Sequence, residues 1–246
     1  MPSPPTFALL HGGGQGSWVW NEVVSLLEAK GAKTLALDVP GCGTKRHRST
    51  IELGVDEVVN ELIGDIRAAG LTNVFLVGHS QAGTLLPAMR RRDEILIRKL
   101  IYLSCSAPEP GMSIIDQMGR GIHGERPDEV GWPLDPDKFG RDVQYPLMFC
   151  NDMSDEQAAK FMHRPLNENW PLGVTYAAHW NYDDLVEVPS TYIFCGRDGI
   201  LPVEWQARFA ERLHCDRVSR LDAGHQAMMT QPGKLAELLF AETAGF

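Results

Sequence analysis

The chain has 246 residues, 43% of them hydrophobic, enough for the core of one α/β domain that carries an insertion. Its formal net charge of −9 at pH 7 argues against nucleic acid or an anionic membrane as a partner, because both repel an acidic protein. No run approaches the roughly 20 apolar residues that cross a bilayer. Met1-Pro2-Ser3-Pro4-Pro5 has no basic region and no separate apolar run, so no cleaved signal peptide is expected. Cys42, Cys105, Cys150, Cys195 and Cys215 are widely spaced and form no Cys-x-x-Cys pair. That pattern suits a reducing cytosol and predicts a cytoplasmic protein without a zinc or redox motif.

Thr6 to Leu10 reads as a buried strand, followed by the glycine-rich loop His11-Gly12-Gly13-Gly14-Gln15-Gly16. The loop lacks the Gly-Lys-Ser/Thr ending of a phosphate-binding loop and does not give a clean Gly-x-Gly-x-x-Gly. Asp38 stands at a tempting distance for a dinucleotide site, but it lies in its own turn after the next strand, Thr34 to Leu37. Glycines there also suit a loop whose N–H groups face a developing oxyanion. Trp18 to Lys30 has a helical period that Gly31 stops, and Val55 to Ala69 has another, with Val55, Val58, Val59, Leu62 and Ile66 on one face. Residues 43–50 read as a solvated basic loop.

Val74 to Val77 then runs into Gly78-His79-Ser80-Gln81-Ala82-Gly83, with a helix-like pattern from Thr84. Strand, sharp turn and helix with a hydroxyl at the apex match the nucleophile elbow. Gly78 and Ala82 or Gly83 would let strand and helix approach closely. The alternative is an ordinary turn with the serine as N-cap. Arg90-Arg91-Arg92 suits the negative end of the helix dipole, and Lys99 to Leu103 is the next strand.

Alternation of strand and helix breaks down over residues 105–186, which read as a cap or lid inserted into a core formed by 1–104 and 187–246. Within it, Ser154 to Met162 reads as a helix capped by Ser154, and Leu172 to Trp180 as a second. Met118, Trp132, Tyr145, Met148, Phe149, Phe161, Met162, Trp170, Tyr176 and Trp180 would line an apolar pocket or pack the cap onto the core. Strands follow at Val188 to Cys195 and Asp216 to Leu221, with helices at Glu204 to Leu213 and Leu235 to Thr243. The expected fold is a mostly parallel sheet with helices on both faces.

An elbow serine implies an acid and a base later in the chain, in the order Ser, Asp/Glu, His. Asp198 and His225 each stand in a turn after a late strand, at the edge where parallel sheets hold their ligands. Ser80 would be the nucleophile, His225 the general base and Asp198 the group that orients the imidazole. The backbone N–H groups of Gln81 and Gly13 would meet the oxyanion. The His79 side chain is expected to point away from the site. No histidine trio has metal-ligand spacing, so no metal is expected. The partner is a small-molecule substrate, and the sequence leaves a homodimer open.

These residues resemble an α/β-hydrolase, and within that superfamily the plant methylesterase and hydroxynitrile lyase group with its bacterial esterase relatives. The resemblance rests on His11-Gly12-x-x-x-Gly16-x-Trp18-x-Trp20, Leu27-x-x-x-Gly31, Ala36-x-Asp38, Gly78-His79-Ser80-x-x-Gly83 and Asp222-Ala223-Gly224-His225. It covers both ends of the core and matches the cap only loosely. It implies hydrolysis of a small to medium apolar or aromatic carboxylic ester by Ser80, Asp198 and His225, without cofactor, and a structural His11 that orients the glycine loop. The lyases carry a lysine after the histidine and a threonine in the first loop, where this chain has Gln226 and Gly13. The alternatives are a lyase or C–C cleavage at the same site, or a ligand-binding module with little turnover.

Overall fold

The computed structural model describes residues 4–163 and 168–245. Among them, one parallel sheet is built from β1 (Thr6–Leu10), β2 (Lys33–Leu37), β3 (Val74–His79), β4 (Ile97–Leu103), β5 (Ser190–Cys195) and β6 (Arg217–Leu221). Their spatial order is β2-β1-β3-β4-β5-β6. Strands β1, β3 and β5 are buried along their whole length, which explains why they read as continuous apolar runs. Successive side chains still go to opposite faces. Ala8, Leu10, Leu76, Leu100 and Tyr102 enter one core, and Phe7, Leu9, Phe75, Val77, Ile101 and Ile193 the other.

The helices in chain order are α1 (Asn21–Ala29), α2 (Val55–Ala68), α3 (Leu86–Arg92), α4 (Ile114–Met118), α5 (Arg141–Phe149), α6 (Asp155–His163), α7 (Leu172–Thr175), α8 (Val203–Arg212), α9 (Ala227–Thr230) and α10 (Pro232–Ala241). Residues of α2, α3 and α8 fill the first core, and those of α1, α9 and α10 the second. Helices therefore cover both faces, as the alternation predicts. The α2 helix buries Val58, Val59, Leu62, Ile63 and Ile66, and Glu57 accepts the Gly54 N–H at 3.0 Å to close its first turn.

The 105–186 stretch departs most from its reading. Its expected helix at Ser154 is present as α6, started by reciprocal bonds from the Gln157 N–H to Ser154 Oγ (3.3 Å) and from the Ser154 N–H to Gln157 Oε1 (3.0 Å). The second expected helix stops at Thr175. Beyond it, Trp180 Nε1–H donates to the Met112 carbonyl at 2.9 Å and Tyr182 Oη–H to the Pro108 carbonyl at 2.9 Å, which ties that segment to the chain after β4. Helix α5 escapes sequence reading because Pro146 lies inside it. Met118, Met148, Trp170 and Trp180 join the first core, so much of the segment's apolar surface packs rather than lining a pocket. The cysteines are all unpaired, and no helix among the described residues is long and apolar enough to cross a membrane.

Candidate active site

All strands run one way, so the loops after β1, β3, β4, β5 and β6 meet at a single edge of the sheet. Ser80 stands immediately after β3 with φ +54°, a left-handed conformation that non-glycine residues rarely take. A tight approach on both sides imposes it. A Cβ on Gly78 would press on the Leu86 side chain, and one on Gly83 would strike the Ser106 carbonyl and Cys105. A short 3₁₀ helix over Ser80–Thr84 follows, with no side-chain capping bond at its start, so Ser80 is not an N-cap. The strain, on the order of 1–2 kcal/mol, holds the hydroxyl at the apex of the turn.

Asp198 and His225 come together across the β5 and β6 loops. His225 Nδ1–H donates to Asp198 Oδ2 at 2.6 Å, and both side chains are 0% exposed. Asp198 Oδ1 accepts the N–H groups of Ile200 (2.7 Å) and Leu201 (2.8 Å), which fix the carboxylate. Sequence reading missed Ser104, at the end of β4 with φ +40°, whose Oγ donates to the same Oδ2 at 2.5 Å. Only that unusual backbone angle marks it, and a sequence does not display it. The other imidazole nitrogen, His225 Nε2, is buried and has no partner among the described residues.

His79 corrects its expectation. Its ring does not turn away but lies 4.5 Å from the His225 ring, tilted by 51°, and Nε2–H donates to the His225 carbonyl at 2.9 Å. Burial, then the neighbouring His225, holds its pKa well below the usual imidazole value. A neutral His79 thus braces the backbone that carries His225.

The glycine loop packs onto the elbow. A Cβ on Gly12 would lie 2.8 Å from Ser80 Cβ and 3.1 Å from His79 Nδ1, and one on Gly13 would collide with Gln81 Oε1. The Gly13 N–H donates to no acceptor among the described residues. His11 sits behind the loop as expected: Nδ1–H donates to the Gly12 carbonyl at 2.8 Å and Nε2 accepts the Val39 N–H at 3.1 Å. Asp38 is committed to Ser17 and Thr44, accepting the Ser17 N–H at 2.6 Å and the Thr44 hydroxyl at 2.7 Å, which leaves it unsuited to a ribose. Burial pushes its pKa up, and these bonds outweigh that and hold it below the ordinary value.

Burial also lowers the His11 pKa from 6.5 to about 4, against the opposing Gly12 bond and Asp38 charge. The sign follows by linkage: between pH 6.5 and 4 the unfolded chain binds a proton that the folded one refuses, so stability falls on acidification. His11 alone should remove about 3 kcal/mol across that window. Melting temperature measured from pH 7 to 4 should fall, and less steeply in a His11→Gln variant; equal slopes would refute the assignment.

A model of the alpha/beta hydrolase family matches residues 7–238. The chain belongs to that family. Polyneuridine aldehyde esterase of Rauvolfia serpentina is 27% identical over 249 residues, covering 95% of this chain and 93% of that protein. Methylesterase 1 of Arabidopsis thaliana is 23% identical over 250 residues, covering 94% and 93%. Among solved structures, a pyrethroid hydrolase from Sphingobium faniae superimposes with a TM-score of 0.78 at 21% identity, covering 98% of each chain, a likeness of fold.

In this hydrolase an aromatic file leads to the His225 ring. Trp18 and Phe161 lie 5.9 Å apart, Phe161 and Phe149 5.8 Å, and Phe149 meets the His225 ring edge-on at 6.0 Å. The remaining histidines stand elsewhere: His123 faces the Val130 and Gly199 carbonyls, while His47, His163, His179 and His214 are exposed. A cleft of about 540 Å³ opens between α2, α3 and Trp180. Its cations are already matched, Arg91 by Asp184 and Arg92 by Asp56. Among the described residues no group of histidine, cysteine and carboxylate side chains could hold a metal.

Proposed function

We propose that the protein is a carboxylesterase-type serine hydrolase that cleaves a small to medium apolar or aromatic ester through an acyl-enzyme. The single observation that carries this reading is the 2.6 Å Asp198–His225 bond, which leaves a buried, unpartnered Nε2 in the loop cluster that also holds the strained Ser80. His225 Nε2 takes the Ser80 proton as Oγ attacks the ester carbonyl, and Asp198 stabilises the imidazolium. The Gly13 and Gln81 N–H groups receive the oxyanion, each worth on the order of 3 kcal/mol of barrier. His225 returns the proton to the leaving alcohol, then activates water to free the acid. The aromatic file supports an apolar substrate, and residues 105–186, which supply Phe149 and Phe161, act as the cap that brings it in. The esterase names of the relatives support the reaction class.

The direct test is turnover of p-nitrophenyl butyrate together with fluorophosphonate labelling. Labelling at Ser80 and turnover that depends on it are expected; a protein inert to both would overturn the proposal. Ser104→Ala, which takes one donor from Asp198, should lower kcat about tenfold with KM little changed. An unchanged kcat would remove Ser104 from the positioning of the acid.

A further inference from the structure

Two side-chain amides stand next in sequence to the proposed nucleophile and base, and both have unused bonding capacity. Gln81 Nε2–H donates to Thr175 Oγ1 of α7 at 3.0 Å, and its Oε1 lies where a Cβ on Gly13 would be. That oxygen accepts nothing among the described residues. Gln226 directly follows His225 and is 0% exposed, yet neither its Oε1 nor its Nε2 has a partner among the described residues. Buried amides are nearly always paired, so an empty one beside a reacting centre calls for a ligand atom. An apolar residue of similar size would be the more stable choice in its place.

We infer that, given Ser80 as the esterase nucleophile, the Gln226 amide faces the same space as Gln81, and that the two are specificity-determining residues that select an ester whose hydroxyl is carried on a carbon one or two bonds from its carbonyl carbon. The placement of Gln81 sets that distance. Its Oε1 lies against the glycine whose N–H receives the oxyanion, so a substrate donor that reaches it must sit close to the carbonyl. A hydroxyl donates its proton to one amide oxygen and accepts from an amide N–H, which uses both capacities the folded chain leaves open. The aromatic file takes the remainder of the molecule. The substrate class is thereby narrowed from plain apolar esters to aryl-substituted hydroxy-acid esters.

The test compares kcat/KM within matched pairs, methyl mandelate against methyl phenylacetate and methyl 3-hydroxy-3-phenylpropanoate against methyl 3-phenylpropanoate. The hydroxylated ester of at least one pair should be preferred about tenfold or more, since a site that leaves buried polar groups unpaired rejects the analogue. The preference should largely disappear in Gln81→Leu and in Gln226→Leu, while Gln226→Leu melts no lower than the parent. Ratios near one in both pairs, with p-nitrophenyl butyrate still cleaved through Ser80, would overturn this inference and leave the esterase reading intact. No turnover of any ester would overturn both. A ratio that survives in folded Gln226→Leu would overturn the role of Gln226, and the parental ratio needs no variant to fold.

Discussion

Ser80→Ala should abolish ester turnover, lowering kcat by about ten-thousand-fold or more, and leave the melting temperature almost unchanged. The two halves of this result have separate causes. Catalysis collapses because a methyl group can neither attack a carbonyl nor give a proton to His225 Nε2. Stability persists because no side-chain bond caps the turn at Ser80, and because alanine meets the same left-handed backbone at φ +54° with the same Cβ. Ser80→Gly separates the effects further. Glycine adopts that angle without penalty, so this variant should be as inactive as the alanine one and more stable by about 1 kcal/mol. A site that keeps a serine there retains strain for the sake of function. Rates on p-nitrophenyl butyrate, read beside thermal melts of the three proteins, check both halves. An alanine variant with parental turnover would remove Ser80 as nucleophile.

Glu242→Ala should be among the most destabilising single changes in the molecule. Lys99 projects from β4 with its side chain 1% exposed, and its Nζ donates to Glu242 Oε2 at 2.7 Å; the Glu242 side chain is 3% exposed. Thr191 Oγ1–H donates to the same oxygen at 2.6 Å. Burial pushes the Glu242 carboxyl up, and the bonds from Lys99 and Thr191 outweigh it and hold the group below the ordinary carboxylate value. Its contribution is therefore present above that ordinary value and is lost as pH falls through the lowered one. Truncation leaves an ammonium in the core without this carboxylate, which costs about 3–5 kcal/mol. In a chain of this size that amounts to a melting temperature lower by roughly 6–20 °C. The double variant Lys99→Met, Glu242→Leu should recover most of the loss, because apolar pairs of similar volume replace buried ion pairs at little cost. A Glu242→Ala protein that melts with the parent would show the pair to be dispensable.

Much of this molecule is legible in local sequence, because the information is local. Continuous apolar runs identify β1, β3 and β5, which are buried on both faces, and helical periods identify α1, α2 and α8. Small residues around Ser80 announce a tight turn, since only they allow strand and helix to approach. The chain order of Ser80, Asp198 and His225 follows from the edge at which parallel strands end. Helix α5, with a proline inside it, and the short α4 offer no persistent period, so that segment is the least legible.

Other features arise between stretches that lie far apart in the chain. Ser104 reaches Asp198, and His79 braces the His225 backbone, because β3, β4, β5 and β6 end side by side. Lys99 and Glu242 find each other across 143 positions, and nothing near either residue announces the pair. Gln226 reads as an ordinary polar residue until burial removes water as its partner; an unmet hydrogen bond becomes visible once packing has excluded the solvent. Residue types and spacings thus establish the fold and the candidate reacting groups. The contacts that hold those groups in place, and the unfilled polar positions that would choose a substrate, depend on how the chain closes on itself.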